Sequence, residues 1–283
     1  LVALFIYWES RAKEPILPLE LFKNHTFTLT SVLGAVIGAG MFGAIVMLPL
    51  YLQVVKGASA TEAGLKLIPL MLGIVTTSIF SGKAISKTGK YKKFPIMGTT
   101  LMTVGILLMV TLTRETPFWQ LSIFSILVGA GLGLSMQTIV IALQNSVDFK
   151  DMGVATSSNT FFRSLGSVFG TALFGSILTN RVTHYLESGF NELATTNPAA
   201  VSGFDPATLE QLSSNTSVLK ELPLLVQNTA LDAFVNSFHV VFLAAAPVTA
   251  LGIDLALMLR EAPLRTNQDY AAAREDAAGE ALG

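Results

Sequence analysis

No cysteine occurs anywhere in the 283 residues, which excludes disulfides, thiol catalysis and thiolate metal sites. Histidine is nearly as scarce: His25, His184 and His239 are too scattered along the chain to suggest a zinc site. No G-x-S-x-G elbow is present and no Ser/His pairing can be argued from spacing, so serine catalysis has no support either. The largest deficit is in charge. Only 13% of residues are Asp, Glu, Lys or Arg, against about a quarter in a soluble domain. A bigger core cannot explain this, nor the 51% hydrophobic content and mean hydropathy of +0.59, because a soluble protein must still cover its surface with polar groups. Lipid must cover much of it instead. The net charge of −1, with no Lys/Arg-dense stripe and interleaved aromatics, gives no sign of nucleic-acid binding. The residues point to no enzyme, no cofactor and no metal.

What the chain does have is apolar length. A bilayer core about 30 Å thick needs roughly 20 mostly apolar residues per helix. Six stretches qualify, at 26–51, 62–86, 94–113, 118–143, 153–180 and 233–259. Helices follow from their length and unbroken apolar runs, so the expected class is an all-α membrane protein. Lys83, Lys87, Lys90, Lys92 and Lys93 crowd the second connection, which places it in the cytoplasm. Alternation then puts the linker 9–25 and the tail 260–283 on the same side and the long loop 181–232 outside. Residues 1–8 are apolar, with neither an initiator Met nor a basic leader, and read as the end of a truncated spanning linker helix.

Within the spans, polar residues stand out. Arg163 lies about ten residues into the fifth stretch, roughly 15 Å along a helix, where a charge is costly and faces a cavity or a partner. Thr156, Asn159, Arg163, Gly166 and Gly170 share one face by spacing. Gln137 and Gln144 sit two turns apart on the fourth stretch. These groups read as a substrate path or, equally, as hydrogen-bonded glue between helices. The Arg163 guanidinium is expected to reach Gln144 and backbone carbonyls of the fourth helix. Asp254 is the one acid well inside an apolar run. It suits a proton carrier, since burial raises a carboxyl pKa, or an interfacial acid near the helix end. Gly34 with Gly38, Gly129 with Gly133, and Gly166 with Gly170 form small-xxx-small pairs that let helices approach closely. Pro49 and Pro247 are candidate kinks.

Four segments resemble one family. Tyr51-Leu-Gln-Val-Val-Lys-Gly-Ala-Ser-Ala-Thr-Glu-Ala-Gly-Leu65, running on to Pro69, is similar to the outer loop entering the tenth helix of the fourteen-helix drug:proton antiporters of the major facilitator superfamily. Ser81-Gly-Lys-Ala-Ile-Ser-Lys-Thr-Gly-Lys-Tyr-Lys92 resembles the superfamily's basic cytoplasmic loop. Gly153-Val-Ala-Thr, Phe162-Arg-Ser-Leu-Gly166 and Gly170 resemble the thirteenth helix, and Arg260-Glu-Ala-Pro-Leu-Arg265 the tail. The resemblance implies that the six stretches are the C-terminal bundle of a two-bundle transporter, whose N-terminal bundle is the missing partner. It implies proton-coupled export of a small lipophilic or cationic substrate from the bacterial cell membrane, with protons and membrane lipid as further partners. Gly82, Lys83, Lys87, Gly89 and Lys90 become a cytoplasmic gating loop. Ser86 stands where that loop normally has Asp, so the charge relay assigned to the Asp does not carry over. The alternatives are export or import of one specific solute, and a non-transporting membrane scaffold or sensor.

Overall fold

The computed structural model describes residues 19–198 and 223–264. The expected linker helix 1–8, most of the linker 9–25, the middle of the loop 181–232 and most of the tail 260–283 lie outside the described residues. Among those described, secondary structure is entirely helical. Eight α-helices follow a short 3-10 helix, Leu19–Lys23: α1 (His25–Ile45), α2 (Met47–Val54), α3 (Ala60–Leu65), α4 (Ile68–Thr88), α5 (Lys93–Met109), α6 (Phe118–Ser146), α7 (Met152–Thr196) and α8 (Leu224–Met258). Apolar sequences of this kind fold as helices in lipid because every backbone polar group must find its partner within the segment. Four segments, Ala60–Thr88, Phe118–Ser146, Phe149–Thr196 and Leu224–Met258, are long and apolar enough to cross a membrane; the apolar helices His25–Met41 and Lys93–Met109 are shorter.

Local chemistry explains the boundaries. The first stretch breaks at Val46, between α1 and α2. Pro49 has no N–H to offer the carbonyl four residues earlier, that of Ile45, where α1 ends. Pro247, by contrast, lies inside α8, which remains helical through it. Ser59 caps α3 by accepting the Glu62 N–H at 3.2 Å. Gly89 ends α4 in the left-handed conformation, φ +68°, with its N–H on the Ile85 carbonyl.

The long loop expected at 181–232 needs correction. Among the described residues, helix extends through Thr196 on one side and runs from Leu224 on the other. Val182, Leu186, Phe190 and Leu193 recur at three- and four-residue spacing and are buried, in one core with Val226, Ala230 and Ala233. That stripe makes an amphipathic helix pair, which the surrounding polar residues hid from a reading by composition. At 45 residues, α7 is about 68 Å long, more than twice the hydrocarbon thickness.

Packing follows a two-fold pattern. The tightest pairs are α4 with α6, α5 with α6 and α1 with α7, followed by α7–α8, α5–α8, α1–α8 and α1–α6. Exchanging α1 with α6, α4 with α7 and α5 with α8 turns α1–α7 into α4–α6 and α5–α6 into α1–α8. It leaves α5–α8 and α1–α6 unchanged; α7–α8 and the slight α6–α7 contact are exceptions, without comparable counterparts in α4–α5 and α1–α4. The register agrees to the residue. A Cβ on Gly38 would strike the Arg163 carbonyl, and one on Gly166 the Ala35 carbonyl. In the other pair, a Cβ on Gly129 would strike the Leu70 carbonyl, and one on Gly73 would lie 2.8 Å from that of Ile126. One constant sequence offset relates Ala35 and Gly38 to Ile126 and Gly129; another relates Leu70 and Gly73 to Arg163 and Gly166. Spans three apart in an alternating chain run in opposite directions, so this exchange has the form of an inverted repeat of three helices.

Candidate functional site

The polar residues of α6 and α7 divide into those that hold the bundle together and those left open. Gln144 belongs to the first group: its Nε2 donates to Thr156 Oγ1 at 3.2 Å, beside an apolar cluster of Phe27, Leu143, Val147 and Ala155. Asn159 does too. It is 2% exposed and its Nδ2 donates to the Thr30 carbonyl at 2.9 Å, bridging α7 to α1. Its amide lies against Gly34, where a Cβ would come within 3.1 Å of Nδ2. Asn159 is therefore a satisfied amide in a seam and does not line a cavity.

Arg163 and Gln137 form the second group. Arg163 is half-buried and makes no hydrogen bond or ion pair among the described residues. The expected bridge to Gln144 is absent, because Gln144 is turned to Thr156 and because α7 packs mainly on α1 and α8, with few contacts to α6. The repeat adds an asymmetry: the mate of Arg163 is Leu70, which is fully buried. Gln137 is exposed, and a Cβ on Gly82 of α4 would lie 3.9 Å from its Cγ. These two side chains have polar capacity that the bundle does not use.

Asp254 sits on an exposed stripe of α8 with Leu243, Leu251, Leu257 and Met258. Burial within this bundle, the premise of a proton-carrying role, is not what the structure shows. Of the small-residue pairs, Gly34, Gly38, Gly166 and Gly170 close the α1–α7 seam and Gly129 and Gly133 the α4–α6 seam.

Both ends of the bundle are stitched in ways the sequence did not suggest. At the lysine end, Lys83, Lys87 and Lys90 are exposed, but Tyr91 among them is 1% exposed. Its hydroxyl donates to the Arg260 carbonyl at 3.0 Å and accepts the Ala262 N–H at 3.0 Å. Asn145 Nδ2 donates to the Pro263 carbonyl at 2.9 Å, and Leu259 is fully buried. The start of the tail is thus strapped across α4, α6 and α8. At the opposite end, the connection from α5 to α6 is held by its carbonyls. His239 Nε2 meets that of Leu112, Tyr51 donates to Thr113, and Lys56 donates to Arg114 and Thr116. Burial there pushes the Lys56 ammonium below the usual lysine range. Arg114 reaches across to Asp232, at 3.3 Å, and Asn228 of α8. No periodicity marks side chains that cap a remote loop, which is why only the geometry reveals them.

Comparison with known proteins matches the chain, over residues 5–171, to the model of the Major Facilitator Superfamily. An uncharacterized MFS-type transporter of Mycobacterium tuberculosis is 41% identical over 94% of this chain and 37% of its own length. The multidrug transporter protein MdtP of Bacillus subtilis is 34% identical over 90% of this chain and 50% of its own. A tetracycline resistance determinant of Streptomyces rimosus is 33% identical over 98% of this chain and 84% of its own. The chain thus spans about a third to a half of the first two relatives. With its long apolar helices and matching family model, the chain belongs to the major facilitator superfamily, as a multi-pass integral membrane protein of a transporter class and not an enzyme.

Proposed function

We propose that this chain is the C-terminal six-helix bundle of a fourteen-helix, proton-coupled multidrug exporter that works by alternating access against an N-terminal bundle. The observation that carries this reading is the unused polarity of half-buried Arg163 and exposed Gln137 in a bundle whose buried polar groups are largely satisfied. A scaffold gains nothing by keeping an unpaired guanidinium where the repeat elsewhere places a buried leucine. Substrate or the facing bundle supplies its partner. The names of the Bacillus and Streptomyces relatives, a multidrug transporter and a tetracycline resistance determinant, support export of small lipophilic or cationic compounds. The glycine seams support rigid-body rocking of the bundle. Lys83, Lys87 and Lys90 then face the cytoplasm, within reach of anionic lipid and of the gate, and the α7–α8 hairpin stands outside.

In the complete transporter, Arg163→Ala is expected to lower drug efflux at least about tenfold, the scale of a lost charged hydrogen bond. Membrane yield and melting temperature should stay at parental values. Arg163→Lys should restore little, because an ammonium cannot reproduce the guanidinium's planar fork. Parental efflux from well-expressed Arg163→Ala would remove Arg163 from the mechanism. A matched fall in yield and efflux would make it structural.

Orientation is tested separately, on a chain with no native cysteine. An impermeant thiol reagent should label Glu192→Cys in intact cells and Lys90→Cys only after permeabilisation. Labelling of Lys90→Cys in intact cells would reverse the proposed topology.

A further inference from the structure

Arg181 is the first charged residue on α7 after Arg163. It is exposed and has no hydrogen bond or ion pair among the described residues. Next to it, Asn180 makes only a long contact, 3.4 Å from its Nδ2 to Ser176 Oγ. Below them, between α7 and α8, lies an open groove of about 470 Å³ lined by Ile177, Asn180, Arg181, Val240 and Ala244.

The depth of this groove can be fixed from the neighbouring helix. α5, Lys93–Met109, covers about 25 Å at 1.5 Å per residue, and with the turn that leads to Leu112 it comes close to the hydrocarbon thickness. His239 is hydrogen-bonded to the Leu112 carbonyl, so that level of α8 marks the membrane boundary. Val240 follows His239 directly, and α7 and α8 run antiparallel. Arg181 with Asn180 therefore sits at the boundary, while Ile177, Val240 and Ala244 lie on the hydrocarbon side. A cation and an amide donor stand over an apolar slot at the height where a lipid phosphate passes into its acyl chains.

We propose that this groove is a binding site for one anionic phospholipid from the leaflet on the hairpin side. Its phosphate accepts hydrogen bonds from the Arg181 guanidinium and the Asn180 amide, and an acyl chain lies against Ile177, Val240 and Ala244. Charge complementarity selects this occupant: an uncharged lipid such as diacylglycerol or a detergent tail fills the slot but leaves Arg181 unpaired, a zwitterionic phospholipid brings a cation of its own beside Arg181, and a free phosphate pairs Arg181 but leaves the slot empty. The inference does not depend on what the protein transports.

Native mass spectrometry of the full chain released from detergent micelles tests it, with phosphatidylglycerol as the probe. One phosphatidylglycerol should be retained per chain, and diacylglycerol of the same chains should not. Arg181→Gln should weaken retention about fivefold, the scale of one basic residue at an anionic surface. Ala244→Phe, which fills the slot and leaves the cation in place, should abolish it, with both variants keeping the parental melting temperature in detergent. Inorganic phosphate in millimolar excess should not displace the lipid. Retention unchanged in both variants would overturn the proposal. So would loss in Arg181→Gln alone together with displacement by phosphate, which would mark an anion site with no lipid groove.

Discussion

Replacing Gly166 by leucine is expected to leave almost no folded protein in the membrane. A Cβ at this position collides with the backbone of Ala35, including its carbonyl carbon and oxygen, and a backbone cannot step aside as a flexible side chain can. Overpacking of this kind costs about 3 kcal/mol or more when the whole seam must open, a large fraction of a domain's net stability. The repeat makes the test sharper. Gly73→Leu meets the equivalent wall, formed by Ile126, Gly129 and Ala130, and should fail to a similar degree. Gly175→Ala is the control, because nothing lies within 4 Å of its added Cβ; a helical Gly-to-Ala change there should shift stability by no more than about 1 kcal/mol. Size-exclusion profiles of fluorescent fusions, with melting temperatures, read all three. Monodisperse, parental-like Gly166→Leu protein would show that the α1–α7 seam is looser than its geometry states.

Tyr91→Ala is expected to release the start of the tail. The ring is buried and its hydroxyl is bonded to both Arg260 and Ala262. Deleting a buried aromatic costs about 3–5 kcal/mol, and here the loss falls on the cluster with Leu29, Ile85, Ala142 and Leu259. Tyr91→Phe keeps the ring and removes only the hydroxyl, for about 1–2 kcal/mol. Trypsin cleavage at Arg260, followed by mass spectrometry, separates the effects: fast in Tyr91→Ala, intermediate in Tyr91→Phe, slow in the parent. Equal cleavage rates in all three would mean that Leu259 and Asn145 hold the tail without Tyr91.

The seams and the spans were legible in the sequence for the same reason: each is a periodic property of one helix. Apolar runs located the long helices, and small residues four apart fall where helices meet. Gly38-Ala39-Gly40-Met41 and Gly129-Ala130-Gly131-Leu132 could also have disclosed the inverted repeat. What stayed hidden depends on pairs far apart in the chain. Asn159 finds Thr30 across 129 positions and Tyr91 finds Arg260 across 169; nothing local to either residue announces its partner. Pairing Gln144 with Arg163 requires that helices adjacent in sequence be adjacent along their length, but α1 takes that place beside α7. The hairpin was missed for a different reason. Its apolar stripe of Val182, Leu186, Phe190 and Leu193 is as regular as any span, but it is too narrow for a reading tuned to uniformly apolar runs.

With the membrane boundary at Arg181 as proposed, and α7 one uninterrupted helix, the part between Arg181 and Thr196 is a mechanical arm fixed to the membrane segment. It projects about 24 Å at 1.5 Å per residue. A tilt of about 10° in the span, too small to alter any seam contact by more than a fraction of its length, swings the tip by ~4 Å at that arm length. Val182, Leu186, Phe190 and Leu193 pack the arm into one core with Val226, Ala230 and Ala233 of α8, and Arg114 ties that part of α8 to the connection after α5, so the arm and the start of α8 swing as one pair. Small rotations that are hard to see inside the bilayer are thereby magnified in water, where a spin label or fluorophore at Thr196 could follow them.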